Sequence, residues 1–369
     1  VIPTTDLFKE AMRYSRTMTA RMDIVYDDEV IEANVPLLGS GGVSTDRSSN
    51  IRYQATAEMG MYPWDEVLLG TEGTRARLYY GLSSLGTNEF IQVGEYQIFD
   101  YGRTNRGSLK LTLKGLEQFL IEAQFIRPRT PPYGASTVAT IASLITEVLP
   151  SAQVVSLQSS DKLITATGAW EKDRWGAITQ LAASINAEIF CGYDGQFYLV
   201  DAPDLNTLVG QFQLDGGPNG VLITEERTST RDTVYNAVSV SSNSSDQTVP
   251  PLWAWAYDDD PTSKTYFYGP YGQRVRFYSS QFFTTEAQCQ AYADRLLTES
   301  LAPRKSLSLG ASPIPFLEAG DPIRTYTTQT VMPSTTVETY LIQKTSLPFR
   351  GAWSAEMLVA DDSITEDAG

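Results

Sequence analysis

The stretch DRWGAITQLAASINAEIFCGYDGQFYLVD, residues 173–201, decides how the fold is read. Its first half places Trp175, Ile178, Leu181, Ala182 and Ile185 on one side of a helix. Its second half holds two β-rich runs around Gly192, Tyr193, Asp194 and Gly195, where the glycines supply positive φ and a hairpin is expected. Just upstream, STVATIASLITEVLP (136–150) reads as another helix. Ser136 or Thr137 caps it, Val138, Ile141, Ala142, Ile145 and Leu149 form its apolar stripe, and Pro150 stops it. Helix, helix and hairpin make a compact α+β unit.

Outward from this unit the texture becomes β. RPRTPPYGAS (127–136) carries three prolines in six residues, which prevents helix and central strand alike, and reads as a linker. Before it, a short helix is expected over about 6–18, with Leu7, Phe8, Ala11 and Met12 at helical spacing. From Thr19 the period drops to two. Ala20, Met22, Ile24 and Tyr26 share one face, and Arg21, Asp23, Val25 and Asp27 the other. GSGG (39–42) reads as a turn before a polar corner and another strand. It is no phosphate loop, because it lacks the GK[ST] ending and precedes a strand. TRARLYYGL, EFIQVGEYQIFDYGR and GSLKLTLKGLEQFL continue the strands to about residue 125, which argues an antiparallel sandwich or barrel.

Beyond residue 205 strands return. VLITEERTSTRDTVYNAVSVSS reads as a pair of them, NSSDQTVPP as a polar loop, and 305–360 as β again before an acidic tail, DDSITEDAG. One helix is expected at about 285–299, with Ala287, Ala291 and Leu297 on its inner face. The expected class is mainly β with an α+β insert. Two antiparallel β-barrel or sandwich domains, 1–126 with a leading helix and 206–369 with one helix, flank a helix-helix-hairpin domain at 127–205.

Composition narrows the function. The chain has 369 residues, 28 Lys+Arg against 44 Asp+Glu, and a net charge of −16. A surface this acidic repels phosphate backbones and anionic lipid, although an acidic wall beside a DNA path stays compatible with it. Histidine is absent, which rules out Ser-His-Asp, Cys-His and His-metal sites built within the chain. Cys191 and Cys289 form no CxxC and read as reduced and buried. No window approaches a membrane span. The opening residues lack a signal-peptide layout, so synthesis in the cytosol as a soluble protein is expected.

Three clusters invite a chemical reading. Asp258, Asp259 and Asp260 suggest calcium, but three consecutive Asp before a Pro do not match the alternating ligands of a calcium loop, and an acidic turn is the better reading. Glu188, Asp194 and Asp201 surround the hairpin, with nothing in the sequence to set two of them across a sugar cleft. Trp253, Trp255, Tyr257, Tyr266, Phe267, Tyr268 and Tyr271 crowd one segment. They suit either a subunit interface or stacking on sugar rings. No catalytic, cofactor or metal site is expected. In IPFLEAGDPIRTY (314–326), Glu318 and Asp321 have no nucleophile to act with. Gly320, Asp321 and Pro322 read as a strand corner: a positive φ, a side chain bonding local backbone, and a preset strand entry.

Taken in order, these blocks resemble the tail-hub or tail-tip minor tail proteins of tailed bacteriophages, siphophage type. The carriers are RMDIVYDD…IEANVPLLGSGGVSTDRSSNIRYQATAEM, with Asp46 before a Ser-rich corner, FIQVGEYQIFDYGR, the W-x-x-I-x-x-L-A helix with its D-G-x-F hairpin, TRDTVYNAVSVSS and FLEAGDPIRTY. The resemblance implies a homotrimer whose paired barrels form a pseudo-sixfold ring around the DNA channel. It implies docking beneath a distal tail or tail-tube protein, with the tape measure protein and tip or fibre proteins as further partners, and DNA only in transit. The location implied is the tail tip of a virion, after synthesis in the host cytoplasm. Longer relatives append fibre-binding or lytic domains, and those functions are not expected here. The alternatives are a carbohydrate- or receptor-binding tail protein and a sixfold distal tail ring protein.

Overall fold

A computed structural model describes the chain except residues 15, 61–71, 85–86, 106, 166–168, 206, 215–219, 229–230, 232–233, 243–250, 281–282, 302–305, 329–334 and 360–369. The acidic tail and nearly all of the polar loop NSSDQTVPP lie outside the described residues.

The N-terminal block runs α1 (Asp6–Ala11), β1 (Thr17–Tyr26), β2 (Glu29–Asp46), β3 (Tyr53–Met59), β4 (Arg75–Ser84), β5 (Thr87–Arg103) and β6 (Leu109–Gly115). The leading helix is shorter than the spacing predicts. The Thr5 hydroxyl caps it by accepting from the Phe8 N–H at 3.1 Å. The chain is extended again by Thr17, where β1 starts its long pairing with β4. Along β1 the alternation holds at Met22 and Ile24, then Val25 is buried and Tyr26 exposed. The register against β2 shifts at this point, with the extra residues on β2, and Val25 is buried outside the main core cluster. Asp27 (φ 49) and Asp28 (φ 64) then close a two-residue hairpin whose left-handed residues match the strand twist.

The run GSGG is not a turn. Gly39 to Gly42 lie inside β2, an 18-residue strand whose register against β3 shifts between Leu37 and Gly41. Gly41 has φ +100, and a Cβ there would collide with the Thr56 carbonyl. The glycines serve a bulge at which β2 changes partner. Before the bulge it pairs with β1, and after it with β3 on one side.

All six N-terminal strands are antiparallel neighbours in the circuit β1-β4-β5-β6-β3-β2, and β2 returns to β1 to close it. The C-terminal strands are β10 (Phe212–Leu214), β11 (Leu222–Thr228), β15 (Ser306–Ala311), β16 (Pro322–Thr328), β17 (Thr335–Pro348) and β18 (Trp353–Val359). They run β10-β16-β17-β18-β15-β11 and join the first group where β17 pairs with β2 from Lys344↔Asp46 to Pro348↔Gly42. The chain is therefore mainly β, as expected, but among the described residues its two β blocks form one continuous twelve-stranded sheet. They also share a core, with Phe8, Met22 and Tyr96 in the same cluster as Phe316, Tyr340 and Trp353. Full burial of such side chains contributes roughly 1.5–3 kcal/mol each.

Between the blocks come α2 (Glu117–Glu122), α3 (Thr137–Thr146), β7 (Val154–Ser156), α4 (Arg174–Ser184), β8 (Ala187–Cys191) and β9 (Phe197–Asp201). All five residues read as the inner face of α4 are buried. On α3, Ile141 and Ile145 are buried as read, together with Leu144. The expected hairpin joins β8 to β9, with β7 added in parallel. The core of this unit reaches back to Leu116 and Leu120, and Arg129 and Ser136 of the proline-rich segment bridge to Trp170 and Leu163.

Residues 237–301 pack off the large sheet, as β12 (Ala237–Ser242), β13 (Trp253–Tyr257) and β14 (Val275–Ser280) beneath α5 (Glu286–Leu301). The inner face of α5 differs from the expected one. Leu297 packs half-buried against the core as read, but Ala287 and Ala291 face solvent, and Cys289, Tyr292, Ala293 and Leu296 are buried. Exposing two alanines costs little, whereas Tyr292 and Leu296 carry the apolar area that must leave water. Both cysteines are free and buried. Among the described residues no helix is long and apolar enough to cross a membrane.

Candidate functional site

The corner at Gly320, Asp321 and Pro322 is built from backbone bonds. Gly320 sits at φ +98, and its N–H donates to the Ile342 carbonyl at 2.8 Å. The Ile342 N–H donates to the Asp321 carbonyl at 3.0 Å, and Asp321 Oδ2 accepts from the Glu318 N–H at 2.9 Å. Pro322 opens β16 opposite Leu341. The turn is pinned on β2, where the Thr45 hydroxyl accepts from the Ala319 N–H at 2.9 Å. Burial, and then the adjacent Asp321 carboxylate, push Glu318 up to about 7. The acid pair thus lies in a sheet corner.

The aromatic segment divides into two sets. Trp253 and Trp255 alternate with Ala254 and Ala256 along β13, so the alanines face α5 and the tryptophans face outward, 53% and 65% exposed. The register sets Trp255 opposite Ser239 on β12, and Ser239 opposite Phe277 on β14. Phe277 is 75% exposed. The outer face of this sheet is therefore a trough with a serine floor and aromatic walls, about 10 Å apart across two strand spacings. The sequence does not single out Phe277, since Val275, Arg276 and Phe277 are all exposed and β14 shows no clean alternation. In the second set, Tyr257, Tyr266, Phe267 and Tyr268 pack on one another, with Phe267 and Tyr268 centroids 5.1 Å apart at 85°. The Tyr271 hydroxyl donates to the Val234 carbonyl, and Arg231 lies over its ring. Tyr268 alone of this second set is strongly exposed, at 65%.

The loop between β13 and β14 hangs on Asn236, which is fully buried. Its amide nitrogen donates to the carbonyls of Thr265 and Gly272, and its oxygen accepts from the Arg274 N–H. Asp258 accepts from the hydroxyls of Ser263 and Thr265, both at 2.6 Å, and Asp260 accepts from the Thr262 N–H. These aspartates tie down an acidic turn. Among the described residues no group of three or more acidic or thiol side chains is placed to hold a metal ion.

The three hairpin carboxylates have separate partners. Asp194 accepts from the Tyr198 hydroxyl at 2.8 Å, and Asp201 accepts from the Ser159 N–H. Glu188 enters an arginine network that the sequence did not suggest. Arg47 forks onto it, and Arg52 approaches to 3.8 Å while lying 3.6 Å above the Phe190 ring. Burial alone would push Glu188 up, but Arg47, then Arg52 and Arg295, outweigh it and hold the carboxyl below its usual range. Nearby, Glu117 is fully buried, and its Oε1 accepts from the N–H groups of Cys191 at 3.0 Å and Arg52 at 3.3 Å. One carboxylate thus joins the start of β3 to the end of β8.

No protein-family model matches the sequence, and a search of curated proteins finds no match. Solved structures do match. A tail protein from Neisseria meningitidis superposes with a TM-score of 0.66 at 12% identity, over 94% of this chain and 98% of that one. A 43 kDa prophage tail protein from Shewanella oneidensis gives 0.54 at 10% identity, over 92% and 98%. A prophage tail protein from Listeria monocytogenes gives 0.54 at 10% identity, over 93% and 95%. At these identities the likeness is one of fold, and it runs nearly end to end: the chain has the fold of these tail proteins.

Proposed function

We propose that the chain is a structural component of a bacteriophage tail tip, a homotrimeric hub ring around the DNA channel that joins a sixfold tail to a threefold tip. The observation that carries this reading is the fold shared with the Neisseria tail protein over 98% of that chain. The parts 1–126, 127–205 and 206–369 are its β, α+β and β portions. The net charge of −16 supports it, because an acidic lumen lets DNA pass without adhering. Among the described residues β11 is a sheet edge, paired only with β15 and carrying Ile223 at 65% exposure, and such edges suit contacts between subunits. The distal tail or tail-tube protein, the tape measure protein and tip or fibre proteins are the partners of this reading, and no catalytic step belongs to it.

Mass photometry of the purified chain, with ring symmetry in virion micrographs, tests the proposal. Three copies per ring are expected. Six copies would make it a distal tail ring, and a predominantly basic pore would refute the account of DNA passage. The aromatic trough favours a second reading as a carbohydrate- or receptor-binding tail protein, since Trp255 and Phe277 stand ready to stack on a sugar. Glycan-array binding that Trp255→Ala abolishes while the oligomer stays intact would select it.

A further inference from the structure

A cleft of about 490 Å³ opens where three parts of the chain meet, and four arginines line it. Arg47 and Arg52 come from the β2–β3 corner, Arg276 from β14 and Arg295 from α5, with Trp175 of α4 and Glu188 of β8 between them. In a chain with 44 acidic residues against 28 basic ones, this is a local excess of the minority charge. Two carboxylates offset part of it. Glu188 serves Arg47 and Arg52, and Glu299 is shared between Arg47 at 3.4 Å and Arg295 at 3.8 Å. Among the described residues, Arg276 reaches only the Ser300 hydroxyl, at 3.4 Å. Glu117, also in the wall, is pushed up to about 7 by burial and so carries only part of a charge at neutral pH.

The hydrogen-bond inventory points the same way. Among the described residues, Nη1 of Arg295 and Nε1 of Trp175, a side chain 4% exposed, make no hydrogen bond, and Nε of Arg295 has only the long 3.8 Å ion-pair contact with Glu299. Buried donors in folded proteins almost always have an acceptor, and guanidinium groups bond most strongly to oxyanions. A volume of 490 Å³ falls in the range of small-molecule sites and exceeds what one water or chloride fills.

We propose that this cleft binds a multivalent oxyanion of the carboxylate or phosphate type, held chiefly by Arg276 and Arg295 and bridging the β2–β3 corner, the α4–β8 unit and α5. The inference does not depend on the tail-tip reading. The ligand comes either from solution, as a small polycarboxylate or phosphate, or from an acidic side chain of a second copy of the chain, and the two sources offer the same chemistry. Because it touches three packing units, its binding stabilises their arrangement by mass action.

The test is calorimetric titration of the full chain with citrate and with inorganic phosphate, set against chloride at matched ionic strength. Thermal melts and mass photometry run on the same samples. Saturable binding of citrate or phosphate, with a melting shift beyond that of chloride, is expected. Arg276→Gln and Arg295→Gln should each weaken it by about tenfold or more, the loss of one charge-assisted hydrogen bond. Arg276 is exposed, so its variant reads the site even if Arg295→Gln folds poorly. Binding with the oligomer unchanged assigns the site to a free anion. Citrate that competes a multimer apart, in wild type and not in Arg276→Gln, assigns it to a second copy. No heat of binding, or the same response in wild type and both variants, overturns the proposal and leaves a water-filled cleft.

Discussion

Replacing Glu117 with Gln should change how stability depends on pH far more than it changes the structure. Glu117 is fully buried, Oε1 accepts two backbone N–H groups, and Oε2 has no hydrogen-bond partner among the described residues. Glutamine keeps the accepting oxygen and puts an amide where the free oxygen stood. Burial lifts the folded carboxyl from its ordinary 4.5 to about 7, against the opposing pull of the two backbone N–H groups and Arg52. Between these two values the folded chain holds a proton that the unfolded chain has released. Stability therefore falls as pH rises through the window and levels off above about 7. A displacement of this size corresponds to about 3 kcal/mol.

Urea midpoints and thermal melts of wild type and Glu117→Gln, measured from pH 4.5 to 8.5, should diverge with rising pH. The variant gains up to about 3 kcal/mol relative to wild type by pH 8. Glu318 is also raised to about 7, so the wild-type curve contains both groups and only the difference between the two proteins isolates Glu117. Hydrogen exchange at the Cys191 and Arg52 amides reports the same site locally, because both donate to Oε1. A difference curve that stays flat across the window would refute the reasoning, since Glu117 would then titrate alike in both states.

Other expectations come from the same geometry. Gly320→Val puts a β-branched side chain at φ +98, with Arg52 Nη2 3.3 Å from the new Cβ, and should cost about 2–4 kcal/mol in urea unfolding. A variant that folds and assembles like wild type would remove the account of the corner. Asn236→Ala deletes three hydrogen bonds at a fully buried position, so a loss of about 3 kcal/mol and faster exchange across 258–274 are expected. Unchanged exchange there would show that the loop is held by other contacts. Arg47→Met leaves Glu188 with Arg52 and Arg295 alone and should cost about 3 kcal/mol. Adding Glu188→Gln should recover part of that loss, and no recovery would mean that packing of Arg47, not its charge, is what matters.

The readable parts of the sequence were those in which local pattern and tertiary role coincide. Five large apolar residues on one face of α4 have a single place to go, and Gly-Tyr-Asp-Gly between two β-rich runs closes a hairpin in any context. GSGG failed because glycines in a turn and glycines at a bulge look alike. What separates them is the Thr56 carbonyl, on a neighbouring strand. The inner face of α5 was misread because alanines carry little directional information, while Cys289 and Tyr292 pack against strands that lie before the helix in the chain. At the junction, Glu188 could be picked out only as a carboxylate near a hairpin. Its main partner, Arg47, is 141 residues away, a pairing that no local spacing announces. The exposure of Trp253 and Trp255 follows from alternation with alanine, but the trough needed the parallel register that brings Phe277 beside Ser239.

β2 shows how such distant pairings set the architecture. Were the two β blocks joined only by the proline-rich segment and the unit after it, their relative orientation would be as variable as those connections. Instead, one strand belongs to both. Its first half pairs with β1, the bulge at Gly41 bends it, and its second half lies between β3 and β17. Five consecutive residue pairs between β2 and β17, and the Thr45 hydroxyl 2.7 Å from that of Thr345, carry the connection. To rotate one block against the other, that ladder and the buried Thr pair would have to break at once. Each group left unpaired in the core costs about 1–3 kcal/mol. The angle between the blocks is thus fixed by sheet geometry. The ring proposed above needs this property, because a small angular error per subunit accumulates and keeps a ring from closing.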